Sequence, residues 1–142
     1  MDYTEEFYNI VKKAAAIAVA TAIENQPNVR LVNHCIDVDR PGVIYFSTNR
    51  TSPKVAEFEK NHEISFSTVP MPADGHIHAR SKHATVQKSC FSIEEVKDLF
   101  IKQVPGFDKT LSAIGGFLDV YEIHVRKASV VLGPMQTGEV RF

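Results

Sequence analysis

One segment of the sequence combines hydroxyl, amide and cationic side chains where a strand pattern gives way to a helix pattern. The segment is F-S-T-N-R-T-S-P-K, residues 46–54. Ser52 is a typical helix N-cap, and Pro53 suits the first helical position, where its missing N–H leaves no bond unmade. Because a helix N-terminus offers unpaired N–H groups and a partial positive charge, it favours phosphate. Lys54 is disfavoured at that end unless an anion offsets it, and Arg50 adds a second cation. The pattern indicates either a phosphate site or a simple cap with solvated cations.

A second pattern is a run of basic residues at alternate positions, His76, His78, Arg80 and Lys82. With the two-residue period of a strand, these four side chains share one face. They form either an anion-binding wall or a solvated outer face. Two histidines on one strand face can also contribute to a zinc site, but no third ligand stands at a suitable spacing, so no metal is expected.

Motifs for nucleophilic or metal-assisted catalysis are missing from the sequence. It contains no serine elbow, glycine-rich dinucleotide fingerprint, P-loop or H-E-x-x-H. Arg30, on an earlier strand pattern, either reaches a ligand or points to water. The residues alone therefore name no nucleophile and no acid/base pair.

Composition is that of one globular domain over residues 1–142. Of its 142 residues 44% are hydrophobic and 23% are charged, and the net charge is -1. This balance argues against a nucleic-acid or anionic-membrane binder, which needs a basic excess. Two separated cysteines, Cys35 and Cys90, are typical of cytosolic proteins. The longest apolar run, residues 14–23, is too short to cross a bilayer. We expect a cytoplasmic protein with no nucleic-acid or membrane partner.

Hydrophobic periodicity and turn residues predict an α+β domain. The first expected helix covers residues 4–26, and a second begins after Ser52 and buries Val55 and Phe58. A third begins at a capping box at Ser92 and runs to about residue 103, and a short helical turn covers 108–114. The expected strands are 29–38, 43–48, 62–69, 76–87, 117–125 and 129–132. Short links between most strands favour a six-stranded, mainly antiparallel split β-barrel with flanking helices.

The segment V-I-Y-F-S-T-N-R-T-S-P-K-V-A-E-F-E-K-N-H-E-I-S-F, residues 43–66, resembles part of a known family. It is similar to the second strand, phosphate loop, helix and third strand of the pyridoxamine 5′-phosphate oxidase-like flavin-binding split barrels. Members typically show an aromatic strand followed by T-N-x-x-S-R-K. The order of elements over most of the chain also agrees, with the greatest likeness to the small general-stress-protein and nitroimidazole-resistance branches.

The resemblance implies a homodimer of six-stranded split barrels with two FMN molecules at the subunit interface. By that likeness, Ser47 and Thr48 line the flavin or its phosphate, and Ser52 and Lys54 bind the phosphate. The further implied contacts are Arg30 and Asn33 before the motif, Asn49 and Arg50 within it, and His78 and Arg80 on the fourth strand.

Two departures from the family pattern narrow the expected activity. Pro53 stands where the arginine of S-R-K usually lies, which removes a bidentate phosphate donor and leaves Arg50 to replace it. The arginine-rich C-terminal substrate segment of true pyridoxamine phosphate oxidases is not recognisable in G-P-M-Q-T-G-E-V-R-F. The leading hypothesis is therefore an FMN-dependent oxidoreductase that acts on another small molecule.

Two other hypotheses remain open from the sequence. The first is a non-catalytic module on the same fold that binds flavin or haem or acts as a sensor, and in the haem case His76 or His78 is the ligand. A barrel that binds single-stranded nucleic acid ranks last, because the basic strand lacks alternating aromatic side chains for base stacking.

Overall fold

The computed structural model describes residues 2–142, which form an eight-stranded antiparallel sheet and four α-helices. The helices are α1 (Tyr3–Lys13), α2 (Pro53–Lys60), α3 (Ile93–Gln103) and α4 (Phe107–Ile114). The strands are β1 (Ala16–Ile23), β2 (Gln26–Val32), β3 (His34–Cys35), β4 (Val43–Asn49), β5 (Glu63–Val69), β6 (His78–Lys88), β7 (Leu118–Gly133) and β8 (Gln136–Arg141). The predicted α+β class and mainly antiparallel sheet are confirmed, whereas the predicted count of six strands is wrong.

The prediction of one helix over residues 4–26 is wrong. Helix α1 ends at Lys13, and the alanine-rich stretch that follows forms β1. Alanine favours helix, but the apolar residues of 16–23 also alternate with a period of two, and the larger ones point into the core. Glu24 and Asn25 both have positive φ, 50° and 66°, so they form a two-residue turn that joins β1 to β2.

Strand β7 organises the sheet because it pairs with three others. It is 16 residues long and runs antiparallel to β4, β6 and β8. The full order is β2-β1-β5-β6-β7-β4-β3, with β8 beside β7. The prediction of two separate strands at 117–125 and 129–132 therefore fails, because the strand continues through Arg126–Ala128. The tail, whose structure the sequence left open, adds β8.

Alternate side chains of β4 contribute to two apolar cores. Ile44 and Phe46 point into the curl of the sheet, where α1 and Phe58 of α2 also pack. Val43 and Tyr45 point to the opposite side, against α3 and α4. The strand is therefore buried on both faces, which accounts for its continuous apolar sequence. The predicted capping box at Ser92 and the helix it starts are confirmed.

A carboxylate lies buried between β7 and its neighbours. Glu122 is 3% exposed, and its oxygens bond Arg40 Nη1 at 2.8 Å, Ser89 Oγ at 2.7 Å and His124 Nε2 at 2.8 Å. Arg40 also donates to the Tyr45 hydroxyl at 2.7 Å. Because each oxygen has a hydrogen-bond donor, the buried charge is compensated.

Candidate anion site at the start of helix α2

The N-terminus of α2 is the centre of the candidate site. Ser52 has the extended backbone of an N-cap, but its side chain makes no capping hydrogen bond. Lys54 follows at the second helical position and is partly buried. Burial, and after it the charge of Arg30, lowers the pKa of Lys54. A cation held at this end of a helix, with another cation beside it, is in an environment that an anion would stabilise.

Arg30 reaches this helix from the middle of β2. Its Nη2 lies 2.9 Å from Glu57 Oε2, its Nη1 donates to Thr21 Oγ1 at 2.9 Å, and the guanidinium lies 5.7 Å from the centre of the Phe58 ring. The Arg30 and Glu57 side chains are only 15% and 22% exposed. The strand pairing and the helix packing therefore bring Arg30 and Lys54, both predicted as site residues, into one cluster.

Glu57 places a negative charge in the same cluster. Burial alone would raise the pKa of Glu57, but the hydrogen bond from Thr21 and the charge of Arg30 outweigh burial and leave the pKa below its usual range. Asn28 Nδ2 lies 3.4 Å from both carboxylate oxygens. At neutral pH Arg30, Lys54 and Glu57 together carry a net charge of one positive unit.

Thr48 presents a buried hydroxyl with no partner among residues 2–142. It is 3% exposed, and its Oγ1 makes no hydrogen bond there. It lies on the same face of β4 as Phe46, whose ring is 5.6 Å from that of Phe58 in α2. A buried hydroxyl without a partner costs about 1–3 kcal/mol, so a polar ligand atom at this position would remove a penalty. Ser47, its neighbour, points to the other side of the strand and is partly buried.

Asn49 and Arg50 do not join the cluster. Asn49 Oδ1 accepts hydrogen bonds from the backbone N–H and the hydroxyl of Thr51, at 3.0 and 2.8 Å, and so shapes the loop. Arg50 pairs with Asp119 at 3.2 Å, and Lys88 approaches the same carboxylate at 3.5 Å. In this structure Arg50 therefore does not replace the arginine that Pro53 removes from the family motif.

Arg80 lies in a separate groove on the outer face of the sheet, with a volume of about 620 Å³. Small side chains of β1 and β5 form part of its lining, and basic side chains of β6 and β7 stand along it. Its residues include Ala18, Ala20, Ser65, Ser67, Arg80, Lys82, His83 and Lys127. Thr21, which contacts Arg30, points the other way from β1. Within one chain, this groove and the α2 cluster therefore lie on opposite faces of β1.

Two other predicted residues lie away from both features. His78 begins β6, and its Nδ1 is 2.7 Å from the carbonyl oxygen of His76. Asn33 is exposed between β2 and β3, beside a cavity of about 260 Å³ that buried His34 also lines. Of the predicted basic stripe, the structure places Arg80 and Lys82 together in the groove and His76 before the strand.

The sequence interpretation missed Glu57, Thr21 and Asn28. Glu57 follows Lys54 by three positions, a spacing that puts both on one helix face, and this signal was available. Thr21 and Asn28 carry no such signal, because the sequence pattern predicts a helix over most of the stretch that contains them. Their contact with α2 depends on the β1–β2 turn.

The chain belongs to the pyridoxamine 5′-phosphate oxidase-like family, whose model matches residues 10–136. The match covers most of the sheet, α2 and the groove. It confirms the family that the 43–66 segment resembles. Comparison with curated proteins finds no match for this chain.

Solved structures share the fold at low sequence identity. A NimC/NimA family protein from Clostridium acetobutylicum is 18% identical with a TM-score of 0.69, over 99% of this chain and 95% of that one. A protein from the same organism, related to general stress protein 26 of the pyridoxinephosphate oxidase family, is 14% identical with a TM-score of 0.74, over 100% and 97%. These likenesses extend over nearly the whole of both chains and show the split-barrel fold.

A haem-binding protein from Mycobacterium smegmatis shares the fold as well. It is 13% identical with a TM-score of 0.75, and the alignment covers 99% of this chain but only 58% of that protein. The fold thus also occurs in a protein named for haem binding. Within residues 2–142, no helix is long and apolar enough to span a bilayer.

Proposed function

We propose that the protein binds FMN, with the flavin's phosphate at the N-terminus of α2. The observation that carries the proposal is the pair of partly buried cations, Lys54 and Arg30, beside a helix start whose Ser52 side chain makes no capping bond. Membership in the oxidase-like family supports a flavin as the source of that phosphate. The unpartnered Thr48 hydroxyl supports a polar ligand atom near the end of β4.

The donor set fits a phosphate monoester. Lys54 supplies a point charge, Arg30 a planar donor, and Ser52 a free hydroxyl, while the helix start adds a partial positive charge. A bound flavin would supply hydride or electron transfer, so the chain needs no nucleophile of its own. The chain's task is to hold and orient the cofactor and to admit an electron donor and a small-molecule substrate. Without the arginine-rich segment, pyridoxamine phosphate is not the proposed substrate.

The proposal includes a homodimer with the flavin between the subunits. Arg80 and the α2 cluster lie on opposite faces of β1 within one chain. A second copy could bring its own β6 groove towards the first copy's helix. The small side chains of Ala18, Ala20, Ser65 and Ser67 would allow close approach there. This arrangement would let Arg80 contact the cofactor from the partner subunit.

Titration of the purified protein with FMN tests the proposal. We expect a saturable change in the flavin spectrum at about one FMN per chain, and a dimer by size-exclusion chromatography. Lys54→Ala should weaken FMN binding at least about tenfold, because it removes a phosphate-facing cation from a partly buried site. Lys60→Ala is the matched control, since Lys60 is exposed in the last turn of the same helix. Equal affinity of the two variants would refute the phosphate assignment.

A second candidate function is haem binding in the outer groove. The groove contains His83 as an iron ligand, and not His76 or His78, which the sequence suggested and which lie outside it. Arg80 and Lys82 supply cations for the haem carboxylates. The structural likeness to a haem-binding protein supports this candidate. Haem titration should then give a Soret band that His83→Ala abolishes and His76→Ala leaves intact.

If flavin binds instead but neither accepts electrons from a nicotinamide cofactor nor reacts with oxygen, the protein is a flavin-binding module rather than an oxidoreductase.

A further inference from the structure

We propose that Glu57 acts as a built-in competitor for the phosphate at the α2 site and so limits the preference of the protein for phosphorylated flavins. The inference rests on the proposed function, because it assigns a specificity role within the same site. It follows from the contacts that Arg30 makes with other residues of this chain.

The guanidinium of Arg30 is occupied by groups of this chain. Its Nη2 pairs with Glu57 Oε2 at 2.9 Å, and its Nη1 bonds Thr21 Oγ1 at 2.9 Å and lies 3.5 Å from the Val19 carbonyl oxygen. The Thr21 hydroxyl in turn donates to Glu57 Oε1 at 3.0 Å. A phosphate that binds Arg30 as well as Lys54 must therefore displace Glu57 from the guanidinium or share the guanidinium with it.

The charge of the carboxylate makes either arrangement unfavourable for a phosphate. The side chains of Arg30 and Glu57 are mostly buried, so water screens their interactions less than at the surface. Like charges at a shared site repel, and a phosphate monoester carries nearly two negative charges at neutral pH. Glu57 cannot leave by simple rotation without giving up the hydrogen bond from Thr21. The wild-type site therefore binds phosphate less tightly than its two cations alone would.

The substitution Glu57→Gln removes the negative charge of the side chain without changing its size or its place. Its amide oxygen can still accept a hydrogen bond from Arg30 or Thr21, so the side chain keeps its place while the negative charge is removed. If Glu57 instead served to orient Arg30 towards the phosphate, loss of its charge would weaken binding. The two roles thus predict opposite changes in affinity for Glu57→Gln.

The test compares FMN with riboflavin, which lacks the phosphate, on the wild type, Glu57→Gln and Glu57→Ala. Glu59→Gln is the matched control, because it removes the same charge from an exposed position of the same helix. We expect both Glu57 variants to bind FMN about tenfold more tightly than the wild type. Riboflavin affinity should stay within about twofold, and the control should change neither. Stabilisation of each variant against heat by inorganic phosphate gives a second readout that does not involve flavin.

Each outcome decides a different part of the inference. If the wild type binds FMN but both Glu57 variants bind it equally well or more weakly, the competitor role is refuted and flavin binding stands. If no variant binds flavin while inorganic phosphate protects the Glu57 variants more than the wild type, the proposed function fails and the competitor role is supported. If neither flavin nor phosphate affects any variant, both fail.

Discussion

Replacement of Arg40 by methionine tests how the fold tolerates the buried charge of Glu122. The variant removes the ion pair at 2.8 Å and the hydrogen bond to the Tyr45 hydroxyl, and it leaves a carboxylate that is 3% exposed with only neutral or weakly basic partners. Removing one partner of a buried pair costs about 3–5 kcal/mol. Because 34% of the Arg40 side chain is exposed, solvent screening reduces the expected loss to about 2–3 kcal/mol.

Urea unfolding at pH 7 measures this loss as a lower midpoint with an unchanged slope. Arg126→Met is the matched control: Arg126 pairs with Glu63 at 3.2 Å, but the two side chains are 52% and 65% exposed. Such a surface pair contributes about 0–1 kcal/mol. If Arg40→Met costs no more than Arg126→Met, Arg40 does not compensate the buried charge of Glu122.

The pH dependence of the same variant gives an independent check. Burial alone would raise the pKa of Glu122, but hydrogen bonds from Arg40, Ser89 and His124 outweigh it and hold the pKa below its usual range. In the wild type this contributes stability above the unfolded pKa, about 4.3, which is lost as the pH falls through the lower folded pKa. Without Arg40 the folded pKa moves up. The difference in stability between variant and wild type should therefore shrink as the pH falls from 7 through the folded pKa of Glu122 in the variant.

Two further predictions concern packing and thiol chemistry. Gly138→Ala should lower the free energy of unfolding by about 1–3 kcal/mol in urea titrations, because the added Cβ would overlap the ring of Tyr3. Gly133→Ala is the control and should cost less than about 1 kcal/mol, since a Cβ there meets nothing within 4 Å. Equal costs for the two variants would contradict this packing. A thiol reagent should label Cys90 in the native protein and Cys35 only after unfolding. Cys90 is exposed, whereas Cys35 is buried and burial raises its pKa to about 12. Rapid labelling of both thiols in the native protein would contradict the burial of Cys35.

The elements that sequence identified well are those with local signals. The turn before β4, the proline after Ser52 and the reciprocal capping at Ser92 each involve residues within four positions of one another. The Ala16–Ile23 stretch failed because alanine propensity and strand alternation compete there, and packing against β5 decides between them. The Glu24–Asn25 turn lacks the glycine that usually marks a two-residue hairpin.

For the candidate site, too, the sequence predicts the residues with local signals and not the contacts between distant segments. The motif located Lys54 and Ser52, since they follow one another along the chain. The partners of Arg30 could not be predicted, because Thr21 and Glu57 meet it only through the pairing of β1 with β2 and the packing of α2. The direction of Arg50 depends on Asp119, nearly 70 residues away, and no local pattern records it.

The central place of β7 has a consequence for how the protein folds during synthesis. Strand β4 pairs only with the two-residue β3 and with β7 within the described chain. After β4 emerges from the ribosome, about 70 further residues must be made before its main partner exists. During that time Val43–Phe46, apolar on both faces, has an open edge, and such edges promote association of nascent chains. Chaperone dependence in the cell should therefore arise from β4, although the finished fold buries its residues 43–46.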